Sequence, residues 1–256
     1  MKKLLLSGIA AVALLAAGSA HAANAGLNLN GETGVARTPM AMALPPLTLG
    51  IAADYVFSDE AFVPARLEFG IVKGLEIGGK FWYTNTDAEI QVIGGNLKYV
   101  LPQFVENLGL AIGGGYDSTS AKYGSNMNDL RLYAVATYTI KAGPVAIVPS
   151  AGVTYDKMKK DDVDPDVAID ESGERFFGSL VVMVLPNLAV GGEYITTNDN
   201  LDKGVDPSYW VGVRYMPING LTLQGGYTNN ANMTNTGDMK DARFHLGAQY
   251  AFSFGK

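Results

Sequence analysis

The feature that most constrains this chain is a two-residue alternation of apolar and polar or small side chains that recurs for about ten residues at a time. From Leu47 to Phe57, Leu47, Leu49, Ile51, Ala53, Tyr55 and Phe57 share one parity, while Thr48, Gly50, Ala52, Asp54 and Val56 share the other. Successive strand side chains point to opposite faces, so this run builds a strand with one apolar face. The pattern returns along the chain: Leu67, Phe69 and Ile71 oppose Arg66, Glu68 and Gly70, and Leu132, Ala134, Ala136 and Tyr138 oppose Arg131, Tyr133, Val135 and Thr137. About ten residues is the length of a tilted strand that crosses a bilayer. After the first two dozen residues no apolar run is long enough for a spanning helix, which excludes a helical bundle.

Twelve such segments are predicted, at 47–57, 63–72, 75–84, 89–101, 107–117, 129–141, 144–156, 174–185, 188–197, 207–216, 220–229 and 241–254. Their connections alternate in length. Lys73-Gly74, Pro102 to Glu106, Ala142-Gly143, Pro186-Asn187 and Pro217 to Gly220 are tight turns, whereas 58–62, 85–88, 118–128, 157–173, 198–206 and 230–240 tend to be longer and polar. An even number of strands with short turns on one rim and long loops on the other predicts an all-β fold, a transmembrane antiparallel up-and-down β-barrel with periplasmic turns and extracellular loops. Strand edges left open in hydrocarbon would each carry unpaired backbone groups, so the sheet must close.

Aromatic placement agrees with this topology. Tyr55, Tyr83, Tyr116, Tyr155, Tyr194 and Tyr227 fall near the outer ends of ascending strands, on the apolar parity. Tyr99, Tyr138, Tyr215, Phe252 and Phe254 fall near the opposite ends of descending strands. Two rows of this kind are the interfacial girdles of a membrane barrel.

Composition narrows the class further. Only 17% of the 256 residues are charged while 48% are apolar, and there are 31 Gly and no Cys. The lack of Cys excludes disulfides, thiolate metal sites and a lipidated Cys. Residues 1–22 read as a signal peptide: Lys2 and Lys3, an apolar run from Leu4 to Ala17, then a small-residue site ending at Ala22. Removing it makes the chain more acidic than its formal −6, which argues against a nucleic-acid partner. The three predicted regions are therefore the signal peptide 1–22, a segment 23–46 that is either periplasmic or lumen-plugging, and the barrel 47–256.

Over the whole mature length the chain resembles Gram-negative outer-membrane β-barrel, porin-like proteins. The stretch from His245 to Phe252 is similar to the C-terminal recognition signal of such barrels, and Thr33-Gly34-Val35-Ala36-Arg37-Thr38-Pro39 is similar to the opening motif of YjbH-type polysaccharide-associated barrels. The resemblance implies a bacterial outer-membrane location, with lipid, lipopolysaccharide and the barrel-assembly machinery as partners.

Function must then lie in the lumen or the loops. The inward parity collects Arg66, Lys80, Lys98, Arg131, Arg214 and Arg243 opposed by Glu68, Glu76 and Glu193, the predicted pore lining. Charges of both signs across a lumen orient ionic or dipolar solutes, so the leading expectation is a passive channel for small hydrophilic solutes. A closed accessory barrel in envelope or exopolysaccharide export is the alternative, and an adhesin acting through loops 157–173 and 230–240 a third. The stretch Phe176 to Leu185 is apolar on both faces and needs an apolar partner inside, a role open to Val35, Pro39, Met40, Met42 and Leu44.

No enzyme, cofactor or metal site is predicted. The one His of the mature chain, His245, sits on lumen parity without a nearby Ser. The carboxylates of 157–173 lack the EF-hand spacing, with Val167 at the position that needs Gly, and read as a solvated acidic loop.

Overall fold

The computed structural model describes residues 27–28, 30, 32–57, 63–83, 89–121, 126–143, 145–161, 169–201, 206–229 and 243–254. The predicted signal peptide 1–22 and the predicted loop 230–240 lie outside these. The elements are β1 (Thr48–Phe57), β2 (Ala65–Val72), β3 (Leu75–Tyr83), β4 (Gln91–Val100), β5 (Leu108–Ser120), β6 (Asn126–Tyr138), β7 (Ile140–Ala142), β8 (Val145–Asp161), β9 (Ile169–Leu185), β10 (Leu188–Ile195), β11 (Ser208–Ile218), β12 (Leu221–Thr228) and β13 (Arg243–Ser253). Short β7 continues β6 past Thr139 alongside β8, with Ile140 opposite Ile147. The wall therefore has twelve staves.

Each stave pairs antiparallel with its sequence neighbours, β6 and β7 both with β8, and the sheet closes where β1 meets β13, with Thr48 opposite Ser253 and Phe57 opposite Phe244. Gly74 and Gly220 take φ of +84° and +87° in tight turns, a backbone region in which a side chain is strained.

The pleat sorts the side chains by parity, and the sorting is the reverse of a soluble domain. Leu67, Ile77, Ile93, Leu97, Ile112, Leu132, Val211 and Leu246 stand exposed on the outside. Asp54, Arg66, Glu68, Glu76, Asn96, Lys98, Thr137, Asp156, Glu193, Arg214 and Gln249 are buried on the inside. A continuous apolar outer surface of this extent is what hydrocarbon solvates and water does not.

Two loop expectations are corrected. The described parts of 157–173, residues 157–161 and 169–173, are strand and not free loop: β8 and β9 stay paired from Tyr155–Glu174 out to Lys160–Ile169, and Lys157 bonds Asp170 at 3.2 Å between exposed side chains. Likewise β5 runs to Ser120 and β6 starts at Asn126, so much of 118–128 is strand. Alternating polar residues on a ribbon that leaves the bilayer carry no apolar signal, although backbone pairing continues.

The girdle residues divide as their positions dictate. Tyr83, Tyr99, Tyr116, Tyr138, Tyr155, Tyr194, Tyr215 and Phe254 are exposed, and Tyr55, Tyr227 and Phe252 are partly covered. Tyr227 meets the Phe244 ring edge-on at 5.3 Å and lies 6.3 Å from Tyr209. Tyr209 and Phe244 thus join the long-loop row without having been singled out from the sequence.

Candidate functional site: the occupied lumen

The described residues of 27–46 run inside the barrel. They fold on themselves first: Leu27 bridges Thr33 and Gly34 bridges Pro39. The Val35 N–H donates to the Thr38 carbonyl at 3.0 Å and the Met40 N–H to the Thr33 carbonyl at 3.1 Å. A Cβ at Gly34 would collide with that Thr38 carbonyl, which explains the glycine of the Thr-Gly…Thr-Pro motif.

The apolar side of this turn packs against one part of the wall. Val35, Ala36 and Met40 form a buried cluster with Val148 and Trp210, with Val181 of β9 against it. Ala41 joins Ala111, Tyr133, Val135 and Phe177 in a second cluster. The doubly apolar stretch of β9 therefore buries Phe177 and half-covers Val181 against inner partners, and Leu44 is buried as well, while Met42 stays exposed.

The polar side is held by the residues expected to line a pore. Glu193 on β10 accepts the backbone N–H groups of Ala36, Arg37 and Thr38 at 2.9–3.1 Å and the Thr38 hydroxyl at 2.9 Å. Glu76 on β3 accepts the Thr33 N–H at 3.2 Å, the Thr33 hydroxyl at 2.8 Å and the Leu44 N–H at 3.0 Å. Lys98, directly across the ladder from Glu76, pairs with it and donates to the Thr33 carbonyl at 3.0 Å. Arg131 reaches Glu32 at 3.0 Å, Lys80 reaches the Asn30 side chain at 3.0 Å, and Arg214 donates to the Val35 carbonyl.

Of the remaining predicted lining residues, Arg66 pairs with buried Asp54. Glu68 is fully buried, and its two oxygens accept no hydrogen bond from any described donor. The side chain of Arg243 lies outside the described residues. Uncharged wall residues that sequence reasoning passed over complete the seat. The Thr137 hydroxyl accepts the Ala41 N–H at 2.8 Å, Gln249 accepts the Leu27 N–H at 2.7 Å, and Asn96 donates to the Asn30 carbonyl at 3.0 Å. Their one sequence signal is inward parity. The wall also makes room: a Cβ at Gly70 would collide with the Pro45 carbonyl, and one at Gly109 with that of Ala41.

His245 is held on both ring nitrogens, accepting the Trp210 indole N–H at 2.5 Å on Nε2 and lying 3.3 Å from Asp54 through Nδ1. This fixes the neutral tautomer with its proton on Nδ1 and leaves neither nitrogen pointing at a hydroxyl. Among the described residues no cluster of three or more His, Asp or Glu is arranged to hold a metal ion.

No protein-family model matches the chain, and no curated protein sequence matches it. Solved structures do. The KdgM porin aligns with a TM-score of 0.56 at 13% identity, covering 79% of this chain and 99% of that one. The KdgM porin in complex with disordered oligogalacturonate aligns at 0.56 and 14%, with the same coverage. The NanC porin aligns at 0.54 and 11%, covering 79% of this chain and 98% of that one. At these identities the likeness is one of fold, and this chain folds as the closed antiparallel barrel that the three structures share.

Proposed function

We propose that this chain is a bacterial outer-membrane barrel acting as a passive channel for small hydrophilic solutes. The observation that carries the reading is the opposite solvation of the two faces of one closed wall. An apolar exterior is matched to lipid, and an interior of Asp, Glu, Lys, Arg and amide side chains is the lining of a lumen that admits water and polar solutes. The fold shared with porins, one of them solved with an acidic oligosaccharide, supports the solute class. Lipid and lipopolysaccharide are the partners of the outer face. No catalytic role is assigned to the lumen, since its one His is engaged by Asp54 and Trp210.

A second reading, a closed accessory barrel of envelope or exopolysaccharide export, is favoured by one observation: Glu76, Lys80, Lys98, Arg131, Glu193 and Arg214 are all engaged by residues 27–46. Planar-bilayer conductance of the refolded mature chain decides between the two. Steady openings with a reversal potential in a salt gradient are the expected result. A folded, heat-modifiable barrel that stays silent under all voltages and salts would transfer the function to partner binding at the rims.

A further inference from the structure

Most of the bonds between wall and segment end on the segment's main chain or on its two threonines. Glu193 gathers three consecutive N–H groups into one carboxylate, a nest-like arrangement of peptide dipoles around an anion. Glu76 repeats the device at the other end of the turn with the N–H groups of Thr33 and Leu44. Each carboxylate then takes one threonine hydroxyl, Thr33 to Glu76 and Thr38 to Glu193, so each threonine of the Thr-Gly…Thr-Pro motif marks one carboxylate clasp. Between them the turn closes on itself through Val35 and Thr38. The segment is thus a self-folded unit held by a carboxylate clasp at each end of its turn, not a strand of the wall.

We propose that residues 27–46 are a displaceable plug, clasped into the lumen by Glu76 and Glu193 through Thr33, Thr38 and the peptide N–H groups beside them. This rests on the channel reading, since a plug gates only a lumen that otherwise conducts. Release breaks the two carboxylate clasps together with the bonds from Lys80, Asn96, Lys98, Arg131, Thr137, Arg214 and Gln249, and leaves the β-ladder untouched, because none of the attachments to the wall is a ladder bond. Charge-assisted bonds to a buried carboxylate are the strong ones, and loss of the charge at one clasp shifts the bound-to-released ratio by about tenfold.

The test uses the full mature chain and exploits its lack of cysteine. Two cysteines, Ala41→Cys and Thr137→Cys, are placed where the Ala41 N–H meets the Thr137 hydroxyl. Oxidation is expected to link them in the folded, heat-modifiable barrel and to lock the lumen shut, with openings returning on reduction. Separately, Ala36→Cys, buried in the native chain, reports release by its rate of modification with a membrane-impermeant thiol reagent. Glu193→Gln should raise that rate about tenfold, and Glu193→Asp should restore most of the protection.

Equal conductances of the crosslinked and reduced forms when openings are present overturn the proposal. An Ala36→Cys rate that Glu193→Gln leaves unchanged overturns the clasp. If Glu193→Gln does not fold, the disulfide pair in the otherwise native chain still decides the matter. Crosslinking and release with a bilayer silent in every form would uphold the clasp and remove the channel reading instead.

Discussion

Lys98 and Glu76 face each other across the β3–β4 ladder with both side chains fully buried, and no solvent replaces one for the other. Removing one partner of such a pair leaves an uncompensated charge, so Glu76→Ala is expected to destabilise the barrel by about 3–5 kcal/mol. The double variant Glu76→Leu/Lys98→Met should recover most of that loss. Urea unfolding in lipid vesicles, followed by Trp fluorescence, measures both. Parity alone made these two residues legible as lumen residues. Their bond to Thr33 was not legible, because the sequence gives no sign of which inward side chain a distant turn will reach. The uncharged partners Thr137, Gln249 and Asn96 were less visible still, since polar residues of ordinary strand propensity carry no signal beyond their parity.

A strand shows its two environments side by side on β4. Ile93 and Leu97 point outward and are more than half exposed, while Asn96 and Lys98, on either side of Leu97, are buried inside. An Arg at Leu97 would have to sit in hydrocarbon, and Leu97→Arg is expected to cost about 2–4 kcal/mol of folding free energy if the position lies near the bilayer midplane. The same vesicle titration reads it. At the rim of β11, β12 and β13, Tyr227→Ala forfeits ring contacts with Phe244 and Tyr209, at an expected cost of about 1 kcal/mol. Strand existence and facing were legible throughout because apolar alternation marks every residue in lipid. The outer parts of β5, β6, β8 and β9 were not, since past the bilayer both faces of a ribbon meet water and the alternation loses its cause. Hence the sequence reading stopped β8 at Tyr155-Asp156, although pairing runs on to Lys160.

At the scale of the molecule, a preformed turn occupies a wall shaped around it. Gly109→Val places a side chain where the Ala41 carbonyl lies, and is expected to loosen the segment and increase single-channel conductance while the barrel keeps its heat modifiability. Recordings of the variant beside the parent chain check this. The lumen as a whole was the least legible part of the protein: a barrel of twelve staves and a list of inward charges follow from periodicity, but whether those charges face solutes or the chain's own peptide groups depends on contacts between residues as distant as Arg37 and Glu193.

The seam has a bearing on how this protein is made. Its oldest strand and its youngest are ladder partners, so β1 has no neighbour on one side until the final residues of β13 exist, and the strand pairing with the greatest chain separation is also the one that shuts the wall. Residues 27–46 lead directly into Thr48 and end up enclosed by that wall. Either they are gathered while the sheet is still an open sheet, or they enter afterwards through the tight-turn mouth beside β1. In the first order the polar groups of the turn give the inward carboxylates partners before the ring closes. Assembly and occupancy are then a single event: a polypeptide cut before β13 would lose its closure and its enclosed turn together.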